Sequence, residues 1–407
     1  MDDGVDAVRG GTQVVDFDHT DPEKAQHIYE RLAVDRERCP VVHGDKYGGF
    51  WGLTRYADVT RAARDYKHFT SRLGVSIPPL GLSVPSVPQQ MDPPEHRDYR
   101  RVLMAHFTPQ ALEVLEPRIR ELVVERLETF VRNGAADLVA ELAAPIPCAV
   151  IALILGLDRE NWPQFTAWLK GMESAALAGD LTQRDSFAAE LAAFLTNELG
   201  LRREQPRNDL LTEIATFELG DAPIPDDIRL GMAQLILSAG HRTTVNGIAN
   251  LFLHLLNNPE LFDRLADEIE NVELVDKVIA ESLRYEAPVF SLARTVTEEI
   301  SIHDTTMCPG DHVLVMFGAA NRDPRQFEDP DHFDVERANA RTHLAFGYGP
   351  HRCVGEFLAL LEMRIVLTEL LQRVPRFALA PEATVEIRTA NIRGPKRLDV
   401  VWEAAPQ

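Results

Sequence analysis

The chain has 407 residues, 45% hydrophobic and 26% charged, with a formal net charge of −21. This composition excludes a disordered, collagen-like or low-complexity chain, and its acidity makes it a poor partner for nucleic-acid phosphates or anionic lipid. The longest apolar run, residues 148–157, is about half the roughly 20 residues a spanning helix needs, so no membrane span is expected.

The first 20 residues are polar and are expected to be flexible. The start of the chain lacks the pattern of a signal peptide, and the four cysteines (Cys39, Cys148, Cys308 and Cys353) are scattered. Together these point to a reducing cytoplasm. Gly48-Gly-Phe-Trp-Gly-Leu53 reads as a short strand near a turn. Residues 74–94 hold Pro78, Pro79, Pro85, Pro88, Pro93 and Pro94. Proline removes donors and fixes φ, so this segment is a long loop, of a length that is usually functional.

Helical patterns follow. Thr108-Pro109 is an N-cap with proline at the first helical position, and Leu112, Leu115, Ile119, Leu122, Val123 and Leu127 then recur at helical spacing. Residues 184–203 form another helix. The longest begins after Pro225-Asp226, with Asp226 as its cap, and runs to about Asn257. It is apolar on all sides, as a buried central helix would be. Residues 272–286 add one more helix, and further strands are expected only near 292–303, 312–316 and 384–402. The fold class is therefore mainly α (α+β).

Chemistry concentrates in Phe346-Gly-Tyr-Gly-Pro-His-Arg-Cys-Val-Gly355. Strong helical periodicity from Phe357 to Val374 places Cys353 in a tight loop that opens a helix. Helix N-termini and adjacent cations, here His351 and Arg352, stabilise a thiolate. Gly347, Gly349 and Gly355 let backbone approach a flat, bulky group. The other three cysteines read as structural.

This segment resembles the haem-ligand loop of the cytochrome P450 family, F-G-x-G-x-H-x-C-x-G, at every fixed position. Glu281-Ser-Leu-Arg284 resembles the family's E-x-x-R, with Arg337 at the place of the arginine that locks to it. His96-x-x-x-Arg100 is similar to its propionate-binding helix, and Ala239-Gly-His-Arg-Thr-Thr244 to its oxygen-binding segment on the long helix. The resemblance covers nearly the whole chain. It implies the family's fold over residues 21–407 as a single haem domain: a large helical body with small sheets, and haem b buried beside the long central helix. It also implies that Cys353 ligates the iron, that Phe346 and Gly347 line the haem, and that His96, Arg100, Arg294 and His351 hold the propionates.

One position departs from the family pattern. The acid that usually precedes the threonine of the long helix is replaced by Arg242, while Thr243 is retained. Arginine cannot act as a proton-transfer acid near neutral pH. Three readings stay open for Arg242: it turns away and pairs with a carboxylate, it binds a substrate carboxylate, or it marks peroxide usage.

The resemblance implies a soluble bacterial haem-thiolate monooxygenase that inserts one atom of O₂ into an apolar small molecule. Electrons would come from a separate ferredoxin or flavodoxin and its reductase, steered by Arg97, Arg101, Arg341 and Arg352. The pocket is expected to draw on Val75, Ile77, Leu80 and Leu82, on Leu235, Ser238 and Ala239, and on Val289, Phe290 and Leu292. The alternatives are an oxidative coupling or ring-forming enzyme acting on a free or carrier-bound substrate, a peroxide-using variant, and a haem sensor. The retained Thr243 argues against a sensor.

Overall fold

The computed structural model describes residues 17–403 apart from 221 and 389. The helices that position the site are, in chain order, α1 (His96–Met104), α2 (Pro109–Leu127), α3 (Pro145–Leu155), α4 (Trp162–Ala178), α5 (Leu181–Glu204), α6 (Asp226–Leu256), α7 (Val272–Tyr285) and α8 (Glu356–Arg373). Their ends follow from side-chain caps. The Thr108 hydroxyl accepts from the Ala111 N–H, Asp180 from Gln183 and Asn271 from Leu274, each satisfying a backbone donor that the first turn leaves free. The start of α6 differs from expectation. Pro225 is its N-cap residue and Asp226 is already helical, because the Asp226 carboxylate is taken by Arg203 and Arg229.

The 31 residues of α6 run through the main hydrophobic cluster, packed against α3, α5, α7 and α8. The apolar run that includes Cys148 forms the buried helix α3. Among the described residues no helix is long and apolar enough to cross a membrane.

A five-stranded sheet stands beside this body. Its strands are β1 (Val41–Gly44), β2 (Phe50–Leu53), β3 (Phe69–Thr70), β4 (Leu292–Val296) and β5 (His312–Val315), in the order β1–β2–β5–β4–β3. Val41 pairs with Leu53 antiparallel, Val313 with Trp51 parallel, and Val313 with Arg294 antiparallel. The last pairing fixes Arg294 in the sheet. Strands were expected mainly late in the chain. β1 and β3 correct this, because strands of four and two residues gain their partners from distant segments and leave little local pattern.

Residues 17–20 are also not a flexible lead. Phe17 is buried in a cluster with Phe50, and Asp18 pairs with Lys46 at 2.6 Å. Residues 1–16, the rest of that expected segment, lie outside the described residues. Residues 74–94 form no helix or strand. This loop is tied to α6 by Val87 N–H donating to the Gly231 carbonyl (3.3 Å) and Gln234 Nε2 donating to Ser83 Oγ (3.1 Å).

Candidate active site

The Cys353 loop is shaped by its own backbone. Cys353 N–H donates to the Phe346 carbonyl (2.8 Å), and Gly347 N–H donates to that of Leu344 (2.8 Å). Gly349 has φ 71°, and a Cβ there would lie 2.7 Å from the Ala63 carbonyl oxygen, so only glycine fits. Cys353 is exposed, and the space it meets is a cavity of about 730 Å³. All nine residues singled out from the sequence line this one cavity: His96, Arg100, Arg242, Thr243, Arg294, Phe346, Gly347, His351 and Cys353.

Burial pushes the Cys353 thiol up to about 11, against the opposing pull of the Gly355 N–H, Arg100 and Arg352. The expected stabilisation by neighbouring cations is therefore outweighed. Arg352 is also spent on Glu356 (2.7 Å). A coordinated metal ion is the influence that deprotonates such a sulfur outright.

Two further guanidinium groups line the same cavity, and Arg100 lies near enough to the sulfur to act on its charge. Arg100 Nη2 donates to the Arg352 carbonyl (2.5 Å), and Arg294 Nη1 donates to its neighbour Ala293 (2.7 Å). Neither makes an ion pair with a carboxylate among the described residues. Burial lowers Arg294 to about 10, yet it stays charged near neutral pH. His96 and His351 meet edge to face, with ring centroids 4.5 Å apart. Burial first, and then nearby arginines, push His96 down to about 4 and His351 to about 2. Within the protein's own surroundings both imidazoles are neutral near pH 7, so Arg100 and Arg294 carry the standing charge of this wall. His96 Nδ1 is buried without a partner. An open sulfur, two guanidiniums with no ion pair among the described residues and an unpartnered imidazole nitrogen around one cavity fit haem, with its iron and its two carboxylates.

Glu281 and Arg284 are fully buried on α7 and form a two-pronged pair at 2.7 and 2.8 Å. Arg337 Nε reaches Glu281 at 3.3 Å, and Asp334 N–H donates to the same carboxylate (2.9 Å). Arg284 also donates to the carbonyls of Asn321, Pro330 and His332. The cluster pins α7 to the strand of chain that leads into the Cys353 loop.

The cavity wall formed by α6 is different. Thr243 Oγ1 donates to the Ala239 carbonyl one turn earlier (2.8 Å). Arg242 pairs with Glu173 of α4, and the half-buried Arg388 lies close enough to feel both. Sequence reasoning missed Glu173, whose partner is distant in the chain. It also missed Glu362 of α8, a cavity-lining residue whose carboxyl is enclosed without a hydrogen-bond partner. Burial raises that carboxyl well above the usual range. Its signal was present: Glu362 falls on the apolar face of α8, four residues after Leu358 and before Val366. Of the expected pocket residues, Phe290 alone lies off the cavity. Its side chain packs against Tyr29 in a separate cluster.

Residues 203–396 match the family model described as Cytochrome P450. The chain is 34% identical over 355 residues to Cytochrome P450 130 of Mycobacterium tuberculosis, covering 85% of this chain and 87% of that protein. It is 35% identical to the cytochrome P450 monooxygenase PikC of Streptomyces venezuelae over 385 residues, 92% of this chain and 90% of that one. Among solved structures, cytochrome P450 CREJ in complex with (4-ethylphenyl) dihydrogen phosphate superposes with a TM-score of 0.85 at 27% identity, covering 97% of this chain and all of that one. A mutant of P450 EryK in complex with erythromycin B gives 0.84 at 29% identity, over 95% and 98% of the two chains.

Proposed function

The chain belongs to the cytochrome P450 family of haem-thiolate oxidoreductases, and from that premise we propose that it is a monooxygenase inserting one atom of O₂ into an apolar small molecule. Cys353 would hold the iron of haem b, with Arg100 and Arg294 neutralising the propionates. His96 and His351 would contribute further hydrogen bonds to them, and Phe346 and Gly347 would lie against the ring. Thiolate-ligated haem supplies O₂ activation, because the thiolate pushes electron density that favours O–O cleavage.

The chain's own residues have three tasks. The wall built by the proline-rich loop, α6 and β4 is mostly apolar, and it would desolvate the substrate and exclude water. The Thr243 hydroxyl, one rotation from its Ala239 acceptor, would pass a proton at Oγ1. Arg242 cannot donate one. Electrons would come from a ferredoxin or flavodoxin and its reductase. The exposed Arg97, Arg101 and Arg341 suit an acidic carrier.

The observation that carries this reading is the gathering of the Cys353 sulfur, Arg100 and Arg294 on one cavity with no protein carboxylate on either arginine. The test is the ferrous–carbonyl spectrum. Wild-type protein is expected to show the red-shifted band of thiolate ligation, and Cys353→Ala to lose it. A band that survives Cys353→Ala would remove Cys353 as the ligand and the reading with it.

A further inference from the structure

Glu173 and Arg242 are mostly buried, with 11% and 13% of their side chains exposed. Both line the cavity, so part of that exposed area faces its interior. Their surroundings on this wall are largely apolar: Leu169, Met172, Ala176 and Leu235. An ion pair in such a place carries a desolvation cost that packing alone would avoid.

The charges here do not balance. Arg388 is held down first by burial and then by the like charge of Arg242, with Glu173 acting the other way. Its hydrogen bond to a side chain is to the neutral amide of Asn246 (3.3 Å). No other carboxylate among the described residues pairs with either arginine. His241, also on α6, is pushed down to about 4 by burial and Arg242, so it is neutral near pH 7 and shifts nothing. Arg242 alone pairs with Glu173, and Arg388 stands near both without an ion pair of its own among the described residues, which leaves one surplus positive charge behind an apolar wall. Arg242 Nη2 is enclosed without a partner. A buried cation of this kind is stabilised when an anion joins it.

We propose that the substrate is amphipathic: an apolar body bearing a carboxylate, which Arg242 anchors on the α6 wall with Arg388 behind it. Glu173 holds Arg242 in place when the site is free and competes with the substrate carboxylate for it. The inference rests on the monooxygenase reading and narrows its substrate class. Glu173 would favour a cationic ligand only if the arginines were absent, because the cluster as a whole is positive.

The test uses haem-loaded enzyme with three probes of equal length: dodecanoic acid, its methyl ester and dodecylamine. Affinity is read by calorimetry and by the haem spectrum. The acid is expected to bind roughly tenfold or more tightly than the ester, the scale of one charge-assisted hydrogen bond. Arg242→Gln should remove that preference and leave the ester unchanged. Glu173→Gln releases Arg242, so it should tighten the acid several-fold and leave the ester unchanged. Three results overturn the proposal: equal affinity for acid and ester in the wild type, a preference for dodecylamine that Glu173→Gln abolishes, or an equal loss for all probes in Arg242→Gln. A normal thiolate carbonyl band with no acid preference sinks the anchor alone. Loss of the band with a calorimetric acid preference intact sinks the function and keeps the anchor.

Discussion

At Glu281, Arg284 and Arg337 the charges are closed off inside the protein: two side chains have no exposure, the third is 7% exposed, and three backbone carbonyls take up donors of Arg284. At Glu173, Arg242 and Arg388 one carboxylate pairs with Arg242 while Arg388 stands near without an ion pair among the described residues, and the Glu173–Arg242 pair borders the cavity. Both clusters are arginine–glutamate chemistry between helices and the chain around one cavity. The first is saturated, and a saturated buried network fixes geometry. The second is left one anion short, and that arrangement is suited to binding.

The comparison can be broken first at its closed end. Glu281→Ala leaves Arg284 and Arg337 uncompensated in the interior, which typically costs about 3–5 kcal/mol. The expected outcome is protein that folds poorly or fails to retain haem, checked by haem-to-protein ratio and denaturant unfolding. Normal haem content and an unchanged transition midpoint would show that the cluster is not what holds the Cys353 loop.

A smaller effect sharpens the contrast at the open end. A double-mutant cycle with Glu173→Gln and Arg242→Gln should give a coupling of about 1 kcal/mol. The pair borders the cavity, and the nearby Arg388 also feels the carboxylate's charge. Removing Glu173 should cost more than removing Arg242, because it takes away the one carboxylate near two guanidiniums, though less than Glu281→Ala because Arg242 borders the cavity. Removing Arg242 leaves Glu173 with Arg388 and should be mild. A coupling as large as the loss in Glu281→Ala would mean that both clusters are structural, and the distinction between them would fall.

The two clusters also differ in how far they can be read from sequence. The Cys353 loop closes within ten positions of chain, through Phe346, Gly347 and Gly349, and Glu281–Arg284 meet by i, i+3 spacing. Such signals are local and survive in a linear string. α6 was equally legible, since a helix of 31 residues with apolar residues all round has one reading. Glu173 and Arg242 lie on different helices, and only packing brings them together. The same is true of β1, whose hydrogen-bond partner is set by the sheet. Asp226 misled because a residue that can cap can also pair, and Arg203 was within reach. Burial, which a sequence does not display, lowers His96 and His351 below the ordinary imidazole range.

Glu362 is a third solution to a charge at the cavity wall: it has neither a closed network nor a counter-charge nearby. Its carboxyl is raised well above the usual range by burial alone, so the folded protein holds it protonated where the unfolded chain, with a value of about 4.3, would release the proton. The sign follows directly. Between those two values the native state binds the extra proton, so this residue's contribution to stability declines as pH rises. Glu362→Gln keeps the shape and removes the titration. Its melting temperature should match wild type at about pH 4 and exceed it by up to a few degrees near neutral pH, a shift on the scale of about 1 kcal/mol. The measurement is a pair of thermal unfolding series on haem-loaded protein across that range. If wild type instead gains on Glu362→Gln as pH rises, the carboxylate is ionised and paired in the folded state. The cavity would then hold a second cluster like that at Arg242, and the contrast between closed and open charge would extend to α8.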